Sequence, residues 1–291
     1  LHRQIDDRYK YQSWRLGSEF TRCLRPLLAE PSALAFATSP SIPLPTIQDA
    51  PYGPAFCHTD AHFTLALAAI NHRLNAYSSL SVAIDLEGQL GGRYPRIDLV
   101  QIAIDAPTTS LKPLIYVFDT FTTHRLLHTR GPSSLRHILE NDQIVKVFHC
   151  CAGDANSLFK GYDITLRGVF DTGVADSVIT GHYSFNRGLQ DCLKRHLGGA
   201  TLSLKDSFVH IDRMFTERPL PHKLFVYAYE DVILCNRLFL AMRSSLRKLG
   251  LLELVFALSA NRIPPISLKH FSPQFLHPLS ISVAVVDTSN S

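Results

Sequence analysis

The sequence predicts an α/β fold in which a mixed central β-sheet is flanked by helices. The chain has 291 residues, of which 46% are hydrophobic and 19% are charged, enough apolar material for a large buried core. Strand patterns come first and then alternate with helical patterns, which is typical of a sheet covered by helices. The first two strand patterns are separated by nine residues, 88–96. That connection is too short for a parallel crossover, so we expect an antiparallel pair.

The residues before the sheet are predicted to be poor in regular structure. A helix is possible over residues 14–28, and six prolines punctuate residues 31–56. Proline fixes φ and removes a backbone donor, so no regular element is expected over 31–56. Thr59 or Asp60 then supplies the N-cap of a helix that runs to Leu74.

Strand and helix patterns occupy the middle of the chain. Strands are predicted over residues 81–87, 97–104, 114–119, 144–148 and, as a short strand, 168–170. Helices are predicted over residues 133–140, 153–161, 172–181, 187–197 and 223–249. The residues after Leu258 form a predicted tail, in which 281–286 could pair as a strand. The chain is therefore divided into an N-terminal extension over 1–57, a domain over 58–258 and a tail over 259–291.

Composition limits the class of protein. The net charge of +4 is mild and the apolar content is high, which excludes a disordered polyelectrolyte. No run of about 18 uncharged apolar residues occurs, so no membrane partner is expected. Six cysteines are present without a CxxC pair, and reduced thiols are the expected state. An intracellular location follows as a prediction, with nucleus and cytoplasm not distinguished.

Two carboxylates share one face of the first predicted strand. Side chains alternate along a strand, so Val82, Ile84 and Leu86 face a core while Asp85 and Glu87 face the other way. Like charges this close are unfavourable unless a cation lies between them, and oxygen ligands suit Mg²⁺ or Mn²⁺. Taken alone, the motif is as well explained by an ordinary solvent-facing strand end.

Three further side chains have positions that suit chemistry. Tyr227 and Asp231 lie four residues apart on a predicted helix, so they share one helical face. Asp154 falls in the first turn of the helix that follows the fourth strand. Each also has an ordinary explanation: an amphipathic helix for the first two, and a dipole-stabilised helix N-terminus for Asp154.

The order of these residues resembles the DEDD 3′–5′ exonuclease superfamily. An Asp-x-Glu strand, a later Asp and a late Tyr-x-x-x-Asp helix together match its pattern over roughly residues 58–250, and the tyrosine is typical of the RNase D-like (DEDDy) branch. Supporting stretches have the sequences DLEG at 85–88, DLVQIA at 98–103, VFDT at 169–172, GL at 188–189 and RPL at 218–220.

This resemblance implies a fold, a site and a reaction. The fold would be RNase H-like, and Asp85, Glu87, Asp154 and Asp231 would hold two Mg²⁺ or Mn²⁺ ions. Tyr227 would orient the attacking water. The enzyme would remove nucleotides one at a time from the 3′ end of single-stranded nucleic acid, RNA rather than DNA, and release nucleoside 5′-monophosphates. The resemblance names no protein partner.

A subgroup resemblance leaves a second function open. Residues 85–91 resemble the Egalitarian-type subgroup, which includes RNA-binding adaptors with degraded catalytic sets. That subgroup commonly has His-Asp-Cys-Arg where this chain has His149, Cys150, Cys151 and Ala152. The alternative function is therefore a catalytically inactive nucleic-acid-binding adaptor on the same fold. Because all five catalytic positions are intact, the sequence favours the enzyme.

The remaining candidates are expected to support the fold. Residues 149–151 are expected in a strand-end core, since adjacent side chains diverge and zinc ligand spacing is missing. Asp171 is expected to cap the helix that begins at Thr172. Residues 91–93 form a loop that can approach substrate. Four basic residues could contact phosphates, although a solvated surface position is the simpler expectation for each of them. They are Lys194, Arg195, Lys205 and Arg213.

Overall fold

The computed structural model describes residues 46–47, 53–123, 125–181, 187–198 and 214–264. Several sequence predictions lie outside the described residues: the helix over 14–28, most of the proline-rich segment, the strand over 281–286, Lys205 and Arg213.

Six strands form one mixed sheet. They are β1 Pro54–Cys57, β2 Ser81–Gln89, β3 Arg96–Ile104, β4 Leu114–Asp119, β5 Val145–Phe148 and β6 Val169–Asp171. Their spatial order is β1-β4-β3-β2-β5-β6. As predicted, β2 and β3 are antiparallel; β3 and β4 are antiparallel as well, and the other three pairs are parallel. The predicted mixed sheet is confirmed.

Helices cover both faces of this sheet. They are α1 Asp60–Ala76, α2 Arg125–His128, α3 Leu135–Glu140, α4 Ala152–Tyr162, α5 Thr172–Thr180, α6 Leu189–His196, α7 His222–Lys248 and α8 Leu252–Ala260, with a 3-10 turn at Met214–Thr216. Helix α1 begins as predicted, since the Thr59 side chain accepts a hydrogen bond from the His62 N–H. Within the described part of the chain, no helix is both long and apolar enough to span a membrane.

Two elements differ from the sequence prediction. Strand β1 lies where no element was expected; Pro54 is its first residue, at an edge of the sheet where a missing N–H is tolerated. Helix α8 was not predicted because its residues are almost all apolar and show no helical period. It packs against β6 and α5. The division of the chain into extension, domain and tail stays a prediction.

The alternation of β2 places its side chains on two different faces. Val82, Ile84 and Leu86 join a core formed with α1, α3 and α4. Ala83 joins the opposite core, which is formed with α5, α6, α7 and α8. Asp85 and Glu87 follow Ala83 by two and four residues, so their side chains lie on the same face of the strand. They therefore project toward the face that α7 crosses.

Candidate active site

Three carboxylates meet between β2 and α7. Ligand oxygens of Asp85, Glu87 and Asp231 all lie within 4.8 Å of one another. The two strand residues are half-buried and Asp231 is 8% exposed. Strand alternation supplies the first two and the α7 crossing supplies the third. The structure therefore brings these three residues together, and their role as metal ligands stays a prediction.

The electrostatics of this cluster suit a cation. Burial raises the pKa of Glu87 well above its usual value, and the charges of Asp85, Asp231 and Asp154 raise this pKa further. Asp154 lies outside the 4.8 Å group but close enough to contribute to that shift. A hard oxygen donor set whose members repel one another fits a divalent cation, which would remove the repulsion.

Asp154 itself is held in a buried position. It lies in the first turn of α4 and is 7% exposed. Burial raises the pKa of Asp154 to about 7; a backbone hydrogen bond lowers this pKa and the charge of Asp171 raises it. A neighbouring positive charge would return this carboxyl to its ionised form.

Tyr227 lies one helical turn before Asp231 and hydrogen bonds to it. Burial is the largest cause of a strongly raised pKa of Tyr227, followed by the charges of Asp231, Glu87 and Asp85. The phenol therefore keeps its proton at any ordinary pH. The prediction that Tyr227 and Asp231 face one spot is confirmed.

A turn at the end of β5 sets the start of α4. Cys150 has a left-handed backbone with φ 57°, an uncommon conformation for a non-glycine residue. The Asp171 carboxylate accepts hydrogen bonds from the N–H groups of Cys150 at 2.9 Å and Cys151 at 3.0 Å. It also accepts from Gly173 N–H at 2.8 Å. Asp171 is thus the helix cap that was predicted, and in addition it holds the turn that precedes Asp154.

Gly88 shapes the end of β2 immediately after Glu87. The register of β2 against β3 shifts between these two residues. Gly88 has φ +146°, and a Cβ there would lie 2.4 Å from the carbonyl oxygen of Arg96. Only glycine fits this bulge, which sets the end of the strand that presents Glu87.

A cavity of about 370 Å³ opens beside the carboxylates. Its lining includes Asp85, Asp231, His149, Cys150, Arg187 and Leu189. A volume of this size is within the range of small-ligand pockets. The cavity places charged, polar and apolar groups next to the carboxylate cluster.

The structure divides the run 149–151 between cavity and core. Cys151 is fully buried, as expected. His149 and Cys150 are half-buried and line the cavity, which the sequence did not predict. The Nε2 of His149 donates to the carbonyl of Arg187 at 2.8 Å, and its Nδ1 lies 2.8 Å from the Thr172 hydroxyl. Among the described residues, the group able to hold a metal contains carboxylates and none of these three.

Sequence reasoning missed an ionic network behind the cavity. Asp176 is 1% exposed. It forms an ion pair with Arg187, whose Nε lies 3.0 Å from the carboxylate, and a hydrogen bond of 2.7 Å with His196 Nε2. Lys194 and Arg195 are both exposed, as expected. Arg195 Nη1 also lies 3.6 Å from the same carboxylate. The partners are eleven or more residues from Asp176, so no local spacing could have revealed them.

Comparison with known proteins finds relatives of this chain. A family model described as a 3′–5′ exonuclease matches residues 62–247. The human piRNA biogenesis protein EXD1 is 36% identical over 137 residues, which covers 45% of this chain and 24% of that protein. The chain spans less than half the length of the curated relatives it matches.

Solved structures share the fold. The catalytic core of RRP6 from Trypanosoma brucei superposes with a TM-score of 0.55 and 19% identity, over 78% of this chain and 55% of that one. Escherichia coli RNase D superposes with a TM-score of 0.53 and 19% identity, over 72% of this chain and 49% of that one. The predicted RNase H-like architecture is confirmed.

Proposed function

Because this chain belongs to the 3′–5′ exonuclease family, we propose that it is an active, metal-dependent exonuclease of the RNase D-like branch that shortens nucleic acid from the 3′ end. The observation that carries this proposal is the meeting of Asp85, Glu87 and Asp231 within 4.8 Å. Three carboxylates that are buried or half-buried side by side destabilise the fold, and binding of nucleic acid alone does not require them.

The carboxylates would hold the metal. Asp85, Glu87 and Asp231 form the proposed ligand set, and Asp154 would complete the set needed for two ions, Mg²⁺ or Mn²⁺. When bound, such ions supply Lewis acid stabilisation of charge on phosphodiester oxygens and lower the pKa of bound water. The raised pKa of Glu87 implies that metal binding and loss of a proton from this cluster are coupled.

Tyr227 would act as a hydrogen-bond donor rather than as a base. Its phenol keeps its proton because burial and three neighbouring carboxylates raise its pKa. A protonated hydroxyl held against Asp231 can position a water molecule or a phosphate oxygen. We propose that Tyr227 orients the attacking water.

The cavity beside the cluster would take the 3′-terminal nucleotide. Its apolar wall includes Leu189, and its polar wall includes His149 and Arg187. This mixture of groups suits a nucleotide, because a base packs against apolar side chains and a phosphate binds polar and charged ones. Hydrolysis at the carboxylates would then release a nucleoside 5′-monophosphate.

We propose single-stranded RNA as the preferred substrate over DNA. Two kinds of relative support this choice: Escherichia coli RNase D is described as an exoribonuclease involved in structured RNA processing, and the curated relatives are named for piRNA biogenesis. An intracellular location is also proposed, since the five cysteines within the described residues are thiols rather than disulfides.

The test is a gel assay with 5′-labelled single-stranded RNA and DNA of one sequence. Mg²⁺ or Mn²⁺ is supplied, and the D85N variant and a chelator serve as controls. We expect a ladder that shortens from the 3′ end and is lost in both controls. Tight binding without shortening under either metal would contradict the proposal and favour the adaptor.

A further inference from the structure

We propose that the loop between β2 and β3, residues 90–95, is a second contact site for single-stranded nucleic acid, where a base stacks on Tyr94 and Arg93 binds a phosphate. This inference rests on the proposed function for its choice of ligand. It goes beyond that function because it assigns a binding role to residues outside the catalytic carboxylates and their cavity.

Tyr94 is presented as an open aromatic surface. It is 78% exposed, more than any other large hydrophobic side chain among the described residues. The guanidinium carbon of Arg93 lies 5.4 Å from the centre of its ring, a cation–π distance. Stacking of a base on the open face of this ring removes apolar surface from water and is therefore favourable, and every nucleobase has a flat face that can stack in this way.

The base of the loop is firmly held, although its tip projects into solvent. Gln89 and Arg96 are the last paired residues of the β2–β3 hairpin. Pro95 is buried against Gly161 near the end of α4, where an added Cβ would lie 3.2 Å from the proline ring. At the tip, nothing lies within 4 Å of a Cβ built on Gly91 or Gly92. Tyr94 therefore lies on an exposed loop whose two ends are held in place by the hairpin and by the packing of Pro95.

The loop continues directly from the strand that carries the carboxylates. Gln89 follows Glu87 by two residues, so the loop begins roughly 7 Å beyond Glu87 at the usual strand rise. A nucleic-acid strand whose 3′ end lies at the carboxylates would therefore have nucleotides further from that end within reach of Tyr94. Helix α4 joins the two places, since it carries Asp154 at its start and packs on Pro95 near its end.

The charge of Arg93 is available to a phosphate. Other arginines near the site are engaged by buried carboxylates: Arg96 by Asp98 at 2.6 Å, Arg218 by Asp119 at 2.7 Å and Arg187 by Asp176 at 3.0 Å. Among the described residues, Arg93 contacts the Tyr94 ring and forms no ion pair. An exposed arginine beside an exposed aromatic ring is the pairing used to bind single strands.

The experiment measures binding separately from cleavage. Fluorescence anisotropy follows a labelled single-stranded RNA oligonucleotide bound by the D85N protein, in which cleavage is blocked. We expect Y94A to weaken binding roughly 5- to 100-fold and Y94F to restore it. We expect R93A to reduce the slope of log K against log salt by about 0.7, and R93K to keep the slope.

The matched control is R247A, which removes an exposed arginine about 24 Å along α7 from Asp231 and should bind as the parent does. Parent-like RNA affinity in Y94A, with a parent-like thermal melt, would overturn the inference.

The two proposals fail in different ways. If RNA binding depends on Tyr94 but the parent protein never shortens RNA with Mg²⁺ or Mn²⁺, the exonuclease proposal is wrong and the loop inference stands. If the parent shortens RNA while Y94A and R93A bind as the parent does, only the loop inference is wrong. A parent protein that binds no nucleic acid would overturn both.

Discussion

The Tyr227 hydroxyl hydrogen bonds to the Asp231 carboxylate one helical turn away, and the same carboxylate lies within 4.8 Å of Asp85 and Glu87. One helix therefore supplies both a carboxylate and a phenol that keeps its proton. Helix α7 packs across β2, so the crossing of these two elements sets the geometry of the candidate site.

Removal of one carboxylate at the cluster should abolish cleavage without loss of the fold. D231N keeps the volume of the side chain but removes a charge that the proposed metal needs. We expect at least about a 100-fold drop in cleavage rate together with weaker Mn²⁺ binding by calorimetry. The matched control is D60N, since Asp60 is exposed and pairs with Arg125 outside the cluster. Full activity in D231N would contradict the metal assignment.

Loss of the Tyr227 hydroxyl should slow cleavage while metal binding persists. Y227F removes the donor that is held against Asp231 but keeps the ring. If this donor orients the attacking water, we expect kcat to fall by up to about 100-fold, with Mn²⁺ affinity unchanged. Y229F is the control. Tyr229 lies two positions after Tyr227 on α7, and its ring packs on Phe225. Equal rates in the two variants would show that Tyr227 has only a packing role.

Local periodicity explains which site residues the sequence could predict. Strand alternation places Asp85 and Glu87 on one face, and helical spacing does the same for Tyr227 and Asp231. The approach of β2 to α7 is not local; it was supplied by the resemblance to a known family, as was the role of Asp154. The antiparallel β2–β3 pair was predictable because the short connection allows no other arrangement.

Long-range contacts explain what the sequence could not predict. Strand β1 is defined by its parallel pairing with β4, about sixty residues away, and its proline argued against a strand. The pairing of Asp176 with Arg187 and His196 depends on how α5 and α6 pack. The cavity position of His149 depends on a bond to the Arg187 carbonyl from another segment. None of these leaves a periodic pattern in the sequence.

Asp171 should matter for both stability and activity. It is fully buried, accepts from the N–H groups of Cys150 and Cys151, and lies 3.4 Å from Arg262 Nε. D171N places an amide group against those donors, so we expect a loss of about 3 kcal/mol in the free energy of unfolding, measured in urea. Because the turn before Asp154 would shift, kcat should fall as well.

The control for D171N is D163N. The Asp163 side chain is 84% exposed, so its replacement should leave the free energy of unfolding and kcat unchanged. A D171N protein that loses stability but keeps the parent kcat below its unfolding transition would show that Asp171 supports the fold alone.

Lys146 should make stability depend on pH. It is fully buried on β5, with its Nζ against the carbonyl of Asn141, and burial lowers its pKa to about 7 from 10.5. Above pH 7 the folded state releases this proton while the unfolded state keeps it until about 10.5. The unfolded state then binds more protons, so the free energy of unfolding should rise with pH by up to about 1.4 kcal/mol per unit. Urea unfolding at several pH values between about 7 and 8, below the ordinary thiol pKa of about 8.5, should show a steeper rise for the parent than for K146M. K160M, at an exposed position on α4, should keep the parent slope, and a parent slope in K146M would show that Lys146 is charged in the folded protein.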